Sequence, residues 1–461
     1  KQILSLALKA NYQQLSNKRG QIHSAIVNDV HTLIQASTNI IDFLTSVIVA
    51  MACLIYLASI SLILFSITLG TAILGGIVYH LRSRKDVQNF QKARNLEDSF
   101  LENFNSILDG FKEIYMEPKK GKYIYDQKVS IIASDTYKTN VAALTGFLNN
   151  QITGQILFNI LISSILLVFS ITLNIKTSDT VSFIFILLYL LSSIEAIMVV
   201  LPTLARARIS ANHMMDLQNE LEKEVFNNSI PKKAISKDKF EQLTVRNLEF
   251  YYSEKNQSFG IGPINFDIKR GETVFIYGGN GSGKTTFVHS ILGLYLFSAG
   301  EIRLNDTVVN KENYPTYRTL FSVVFSDFYL FKELMGIDNF DTEKWNYYLK
   351  LFEMEDKVKI EGTYFSTTNL STGQRKRLAL IASLMEEKPI LVIDEWAADQ
   401  DPYFRKKFYT EIIPLLKADG VAIIAITHDD KYYHCADKLY KMEDGMLAQE
   451  IISMTEQSLV S

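Results

Sequence analysis

The stretch "TVFIYGGNGSGKTTFVHSILG" (273–293) decides how the second half of this chain folds. A short apolar run with strand character enters a glycine-rich loop, and a helical apolar pattern follows at once. The loop "GGNGSGKT" (278–285) matches G-x-x-x-x-G-K-[ST] in full, in strand–loop–helix context. Gly278, Gly279, Gly281 and Gly283, with Asn280 and Ser282 between them, let successive backbone N–H groups curve around a β-phosphate. The helix beginning at Lys284, Thr285 and Thr286 adds its positive dipole end. Lys284 has the reach for β- and γ-phosphates, and the Thr285 hydroxyl suits Mg²⁺. The spacing predicts nucleotide binding.

Two further stretches fit that reading. "LVIDEWAADQDP" (391–402) is an apolar run that ends on two adjacent acids. Beside a phosphate loop, Asp394 at a strand end predicts a metal-holding carboxylate. Glu395 is then placed to orient or deprotonate the attacking water. Two acids are needed because one serves the metal and the other the water; the tryptophan that follows has no part in that division. "NLSTGQRKRLAL" (369–380) sets Ser371, Thr372, Gly373 and Gln374 at the start of a basic, apolar-periodic helix. This is a second helix N-terminus suited to a phosphate. One loop already holds the nucleotide, so the spare anion site is expected to face the nucleotide of another subunit.

The rest of the chain sets the context. Its 461 residues exceed what one hydrophobic core organises, so two or more domains are expected. A net charge of −3 gives no electrostatic footprint for nucleic acid. Two cysteines, Cys53 and Cys435, rule out a disulfide framework. From Phe43 to Tyr79 there is no Asp, Glu, Lys, Arg or His, and the same holds from Thr139 to Ile175. Thr180 to Ala205 is interrupted only by Glu195. One membrane helix needs roughly 20 apolar residues, so four are predicted, at about 40–58, 61–80, 152–173 and 180–202. Arg82, Arg84, Lys85, Lys138, Arg206 and Arg208 flank them on one side, which makes 81–140 and everything after Arg206 cytoplasmic. The domains read as 1–220 for the membrane bundle, 221–240 for a polar linker and 241–461 for an α/β domain. Strand-like and helical runs alternate in the last, predicting a parallel sheet covered by helices. Glu195, ionisable among apolar neighbours, is expected either to meet a cationic cargo or line a hydrated path, or to sit neutralised or water-reached near the outer end of its helix.

From about residue 241 to 450 the chain resembles an ATP-binding cassette (ABC) nucleotide-binding domain. The resemblance implies ATP and Mg²⁺, and it adds residues to those above. Tyr252 matches the aromatic that stacks on adenine, and 370–374 match the family signature apart from one residue. Asp401 matches the D-loop aspartate, and His428 in "ITHDD" matches the switch histidine that contacts the γ-phosphate. The fold class implied is an α-helical transmembrane bundle of exporter type fused to an α/β P-loop ATPase. Two departures stand out. The Q-loop glutamine is absent, and Ser326 occupies its place near the metal. Trp396 follows the catalytic glutamate where most exporters have threonine and serine.

The strings "DEWAADQDP", "GPINFDIKRGE", "YGGNGSGKTT", "ITHDDKYYHCAD" and "LPTLARARIS" together resemble the bacterial cyclic-peptide exporters. These include the exporters of microcins, of lipopeptide toxins and of a pyoverdine-type siderophore precursor. Members have six membrane helices and work as homodimers, so two N-terminal helices are expected to precede residue 1. The expected function is ATP-driven export of a cyclic or modified peptide, or of a peptidic siderophore precursor, across the bacterial inner membrane. The expected partners are a second copy of the chain, the lipid bilayer and a peptide-like cargo. An ATP-dependent gate or sensor is the alternative, opposed by the intact Glu395. Import is a third reading, opposed by the fusion of membrane and ATPase segments in one chain.

Overall fold

The computed structural model describes residues 2–10, 12–169, 172, 176–223, 239–252, 259–310, 312–337 and 339–451. The chain divides into two units, residues 1–7 with 14–224, and residues 8–13 with 225–461. Most of the polar stretch expected as a linker, 224–238, lies outside the described residues.

The first unit is built on four long helices: α1 (Val30–Ile60), α2 (Leu62–Asp109), α3 (Ser130–Ser164) and α4 (Thr177–Lys223). Ser61 alone separates α1 from α2; its extended backbone breaks the helix, and its hydroxyl accepts from Leu64 N–H. That is an N-cap in the ordinary sense. Helix α1 lies along α4, and α2 along α3. Leu57, Leu64, Phe158, Leu161, Ile165, Phe183, Leu187 and Leu190 form a buried cluster between them. Outward, Ile41, Ile55, Leu62, Leu167 and Phe185 are exposed. Apolar faces of this extent suit hydrocarbon and are poorly suited to water. Among the described residues four helical segments, Gly20–Ile60, Leu62–Asp109, Pro118–Phe169 and Thr177–Glu222, are long and apolar enough to cross a membrane. The apolar stretch that ends near residue 202 does not end a helix, because α4 continues through Pro202. The third apolar stretch passes from α3 into a π-helical turn, Ile165–Phe169, and residues 170, 171 and 173–175 lie outside the described residues.

A second π turn, Ala25–Asp29, precedes α1, closed by Val30 N–H on the Ala25 carbonyl. It delivers Asp29, 1% exposed, to a buried ionic cluster. Arg94 donates from Nε to Asp29 Oδ1 at 3.0 Å and from Nη2 to Asp29 Oδ2 at 3.0 Å. It also donates to Asp98 and to the Ser24 hydroxyl, both at 2.8 Å. His213 Nδ1 lies 2.7 Å from Asp29 Oδ2. Burial opposes charge on Asp29, yet His213 and Arg94 hold its carboxyl below the ordinary value. The hydrogen bond to Asp29 raises the His213 pKa against a smaller opposing effect of burial. A raised folded-state pKa contributes stability that is present below the unfolded value and lost as pH rises through the folded one. We therefore expect the wild-type chain to unfold at a lower temperature at about pH 9 than at about pH 6, with His213→Gln shrinking that difference. An equal pH dependence in the variant would remove His213 as its source.

Among its described residues the second unit holds two sheets and a short hairpin. Strands β1 (Gln242–Tyr251), β2 (Gly260–Lys269), β4 (Ala299–Leu304) and β5 (Thr307–Val308) form an antiparallel sheet in the order β2-β1-β4-β5. Strands β3 (Thr273–Tyr277), β6 (Phe321–Val324), β9 (Ile390–Asp394), β10 (Ala422–Ile426), β11 (Lys438–Glu443) and β12 (Met446–Glu450) form the second, ordered β12-β11-β3-β10-β9-β6. All its pairs are parallel except β11 with β12. The hairpin is β7 (Ile360–Glu361) with β8 (Tyr364–Phe365). Strands β3, β9 and β10 are nearly continuous apolar runs because core packs on both faces, as parallel central strands require. Their carboxyl ends lie side by side, and in an open α/β sheet that edge is where ligands bind.

Candidate functional site

Strand β3 ends at Tyr277, and the loop 278–283 leads into α5 (Lys284–Leu292). Two of its glycines are required by close packing. A Cβ on Gly278, at φ 153°, would stand 2.1 Å from the Met442 carbonyl oxygen. One on Gly283, at φ 107°, would meet the Ile261 side chain at 2.7 Å. Asn280 and Gly281 are exposed at the tip, and Thr285 is exposed at the first turn of α5. Lys284 is 6% exposed and donates to the Gly278 and Gly279 carbonyls, each at 2.9 Å, so its ammonium lies across the loop. Burial lowers its pKa, against the smaller opposing pull of Glu395 and Asp394. The Ser282 hydroxyl is buried without a hydrogen-bond partner among the described residues. An ammonium bonded only to carbonyls and an orphaned hydroxyl in a glycine cradle together fit a phosphate.

Beside this loop, β9 ends on Asp394, 2% exposed, whose Oδ2 accepts from the Ser326 hydroxyl at 3.3 Å. Burial, then the neighbouring Glu395 charge, raises the Asp394 pKa. A buried carboxylate held in this way, next to a hydroxyl, fits a hard cation with oxygen ligands. Glu395 sits in the left-handed region at φ 48° and ψ 36°. Such backbone costs a non-glycine residue of order 1–3 kcal/mol and tends to mark functional positions. Its N–H donates to the Ile426 carbonyl at 3.1 Å, and its Oε1 lies 3.1 Å from His428 Nε2. His428 follows β10 by two residues, so the two neighbouring strand ends bring base and histidine together.

The remaining predicted residues are arranged differently. Tyr252, half-buried, meets Phe250 and Tyr295 edge-on, with ring centroids 4.9 and 5.8 Å away. Its hydroxyl is 3.4 Å from the Thr286 hydroxyl on α5. Ser371 and Gln374 open α6 (Thr372–Met385) as a capping box. Ser371 Oγ accepts from Gln374 N–H at 3.3 Å, and Gln374 Oε1 accepts from Ser371 N–H at 3.2 Å. The S-x-x-Q spacing at 371–374 is the sequence mark of such a box. Among the described residues the Ser371 hydroxyl donates no hydrogen bond, and Thr372 beside it is exposed. A Cβ on Gly373 would come 2.7 Å from the Asp399 carbonyl oxygen. Asp401 Oδ1 caps the next helix through Phe404 N–H at 2.9 Å, while Oδ2 accepts from Arg377 at 2.8 Å. The Phe404 N–H, then Arg377, lower its pKa. Among the described residues no hydrogen bond joins Ser371–Gln374 or Asp401 to the phosphate loop of the same chain. Glu195 lies half-buried on α4 in the other unit, with no ion-pair or hydrogen-bond partner among the described residues.

A phosphate cradle, a buried metal-type carboxylate and an acid–histidine pair, in one chain with membrane-length apolar helices, define a membrane P-loop ATPase. The comparisons with known proteins carry the definition further. The ABC transporter family model matches residues 261–398. ATP-binding protein SyrD of Pseudomonas syringae pv. syringae is 33% identical over 407 residues, covering 86% of this chain and 72% of its own. The Fe(3+) ions import ATP-binding protein FbpC 2 of Haemophilus influenzae is 30% identical over 220 residues, covering 45% of this chain and 60% of its own. A bacterial Atm1-family ABC exporter solved with ATP bound superposes with a TM-score of 0.80 at 16% identity, covering 97% of this chain and 80% of that one. The chain belongs to the ABC transporter family. It has the exporter-type fold, binds ATP and couples ATP hydrolysis to transport across a membrane.

Proposed function

We propose that this protein is a homodimeric exporter of a cyclic or modified peptide, or of a peptidic siderophore precursor, in the bacterial inner membrane, with its ATPase in the cytoplasm. The observation that carries the hydrolytic half is the 3.1 Å contact between His428 and Glu395, one residue beyond buried Asp394. Lys284 and the loop N–H groups bind the β- and γ-phosphates, and Tyr252 offers its ring to adenine. Thr285, Asp394 and Ser326 supply the oxygens for Mg²⁺, which when bound neutralises charge on the transferred phosphoryl oxygens. His428 holds the Glu395 carboxylate in place, and Glu395 takes the proton of the attacking water. Ser371, Thr372, Gly373 and Gln374 present a helix N-terminus with a free hydroxyl proton and have no hydrogen bond to their own phosphate loop. This supports their use on the nucleotide of a second copy of the chain, with Asp401 beside them.

The peptide class of cargo rests on the sequence resemblance to cyclic-peptide exporters, and the orientation rests on the basic flanks of the apolar helices. Glu195, half-buried and without a hydrogen-bond or ion-pair partner among the described residues, is our candidate for meeting a cationic group of the cargo. The test is ATP-dependent uptake of candidate cyclic peptides and peptidic siderophore precursors by inside-out vesicles carrying the transporter, with Glu395→Gln as control. Uptake that the control abolishes supports export. ATP hydrolysis at an ordinary rate with no uptake of any candidate would move the gate-or-sensor reading ahead.

A further inference from the structure

Trp396 stands where the hydrolytic chemistry has no use for it, and Lys376 is a buried lysine on the signature helix that no phosphate explains. The two are joined. Trp396, 1% exposed, donates its indole N–H to the Lys376 carbonyl at 2.8 Å. Its ring packs on Phe408 at 4.4 Å between centroids, with Phe404 and Phe352 around it. Lys376, 4% exposed, returns along the same path: its ammonium donates to the Glu395 carbonyl at 3.0 Å and pairs with Asp399 at 2.7 Å. The carbonyl that Lys376 holds belongs to Glu395, the one non-glycine residue of the described site in left-handed backbone.

We propose that Lys376 and Trp396 are positioning residues for hydrolysis, a brace that keeps the Glu395 carboxylate aimed by pinning its strained backbone to the signature helix. A left-handed residue relaxes by rotating about its N–Cα bond, and that rotation carries its side chain and its carbonyl round together. The ammonium blocks the turn because a charge-assisted bond from a buried cation to the carbonyl would be lost. The indole bond fixes the helix carbonyl at the root of the lysine, so the ammonium cannot retreat. Among the described residues Lys376 has no hydrogen bond to the phosphate loop, and its contact with the site runs through the Glu395 carbonyl. The brace also ties the helix that opens at Ser371 to the glutamate serving this chain's own nucleotide.

The inference rests on Glu395 as the base, and the experiment separates the two ideas. In the intact transporter reconstituted in lipid, Glu395→Gln is measured first. If turnover is unchanged, the assignment of the base fails and the brace with it. If turnover collapses, Lys376→Met is expected to lower kcat for ATP roughly 10- to 100-fold, the scale of a misplacement near 1 Å. KM for ATP should stay within about 3-fold, because the phosphate loop is untouched. Lys376→Arg should recover most of the rate, and Trp396→Phe, which keeps an aromatic side chain and removes the N–H, should lower kcat in the same sense. Lys376→Met should add nothing to the defect of Glu395→Gln, because both act through one carboxylate. A purely structural role predicts the opposite on each count: kcat and KM fail together, arginine does not rescue, and the double variant loses ATP binding as well. Wild-type kcat in both Lys376→Met and Trp396→Phe would overturn the brace outright.

Discussion

Replacing Glu395 with glutamine lowers ATP turnover by about 10²–10⁴-fold, the usual contribution of a positioned base, and leaves ATP bound. The amide has the shape of the carboxylate, so the left-handed backbone and the 3.1 Å contact with His428 are retained in form. What disappears is the proton acceptor. Asp394 keeps its place next to Ser326 and Lys284 keeps its place across the loop, so nucleotide affinity has no reason to fall. The measurement is steady-state turnover together with equilibrium ATP binding on the same preparation. A variant that hydrolyses ATP within about 2-fold of wild type would move the base elsewhere. His428→Ala should show a smaller loss, because histidine aims the carboxylate and does not replace it.

The largest effect on stability is expected at Arg94, far from the nucleotide. Arg94→Met strips Asp29, 1% exposed, of its guanidinium and leaves His213 Nδ1 2.7 Å away. Breaking one side of a buried ion pair costs about 3–5 kcal/mol, because the surviving charge stays buried. Thermal unfolding of the detergent-solubilised chain reads the loss directly. Arg94→Met combined with Asp29→Leu should recover much of it, since two apolar side chains of similar volume leave neither half of the Arg94–Asp29 pair buried alone. A loss under about 1 kcal/mol in the single variant would mean that water reaches Asp29. An equal loss in the double variant would locate the cost in packing.

The phosphate loop, the two acids of β9 and the apolar helices could be read from sequence because each is a contiguous signal. A glycine run has one geometric use beside a strand, and membrane-length apolarity has few. The ionic cluster could not be read this way: Arg94 lies 65 residues from Asp29, and His213 lies 184 from it. In sequence each is one charge among many on a helix that looks solvated. Lys376 was hidden for the same reason, inside "QRKR" on an amphipathic helix, where a basic residue ordinarily points to water. Trp396 announced itself as an oddity, but its partner carbonyl twenty residues upstream is invisible without coordinates. The span of α4 through Pro202 reflects the difference between an apolar boundary and a helix boundary; in a bundle, neighbours can satisfy the groups a proline frees.

The π turn at Ala25–Asp29 sets the rotational phase of everything beyond it. One extra residue in a turn advances the following side chains by about 100° around the helix axis. Losing a single residue there, with no change in composition, would dial the lipid-facing stripe of α1 against its neighbours by that angle. Asp29 would be carried away from Arg94 in the same motion. A relative of this chain shorter by one residue at that point would have to rewrite two helix faces to keep the same bundle. An alignment gap at residues 25–29 should therefore never travel alone.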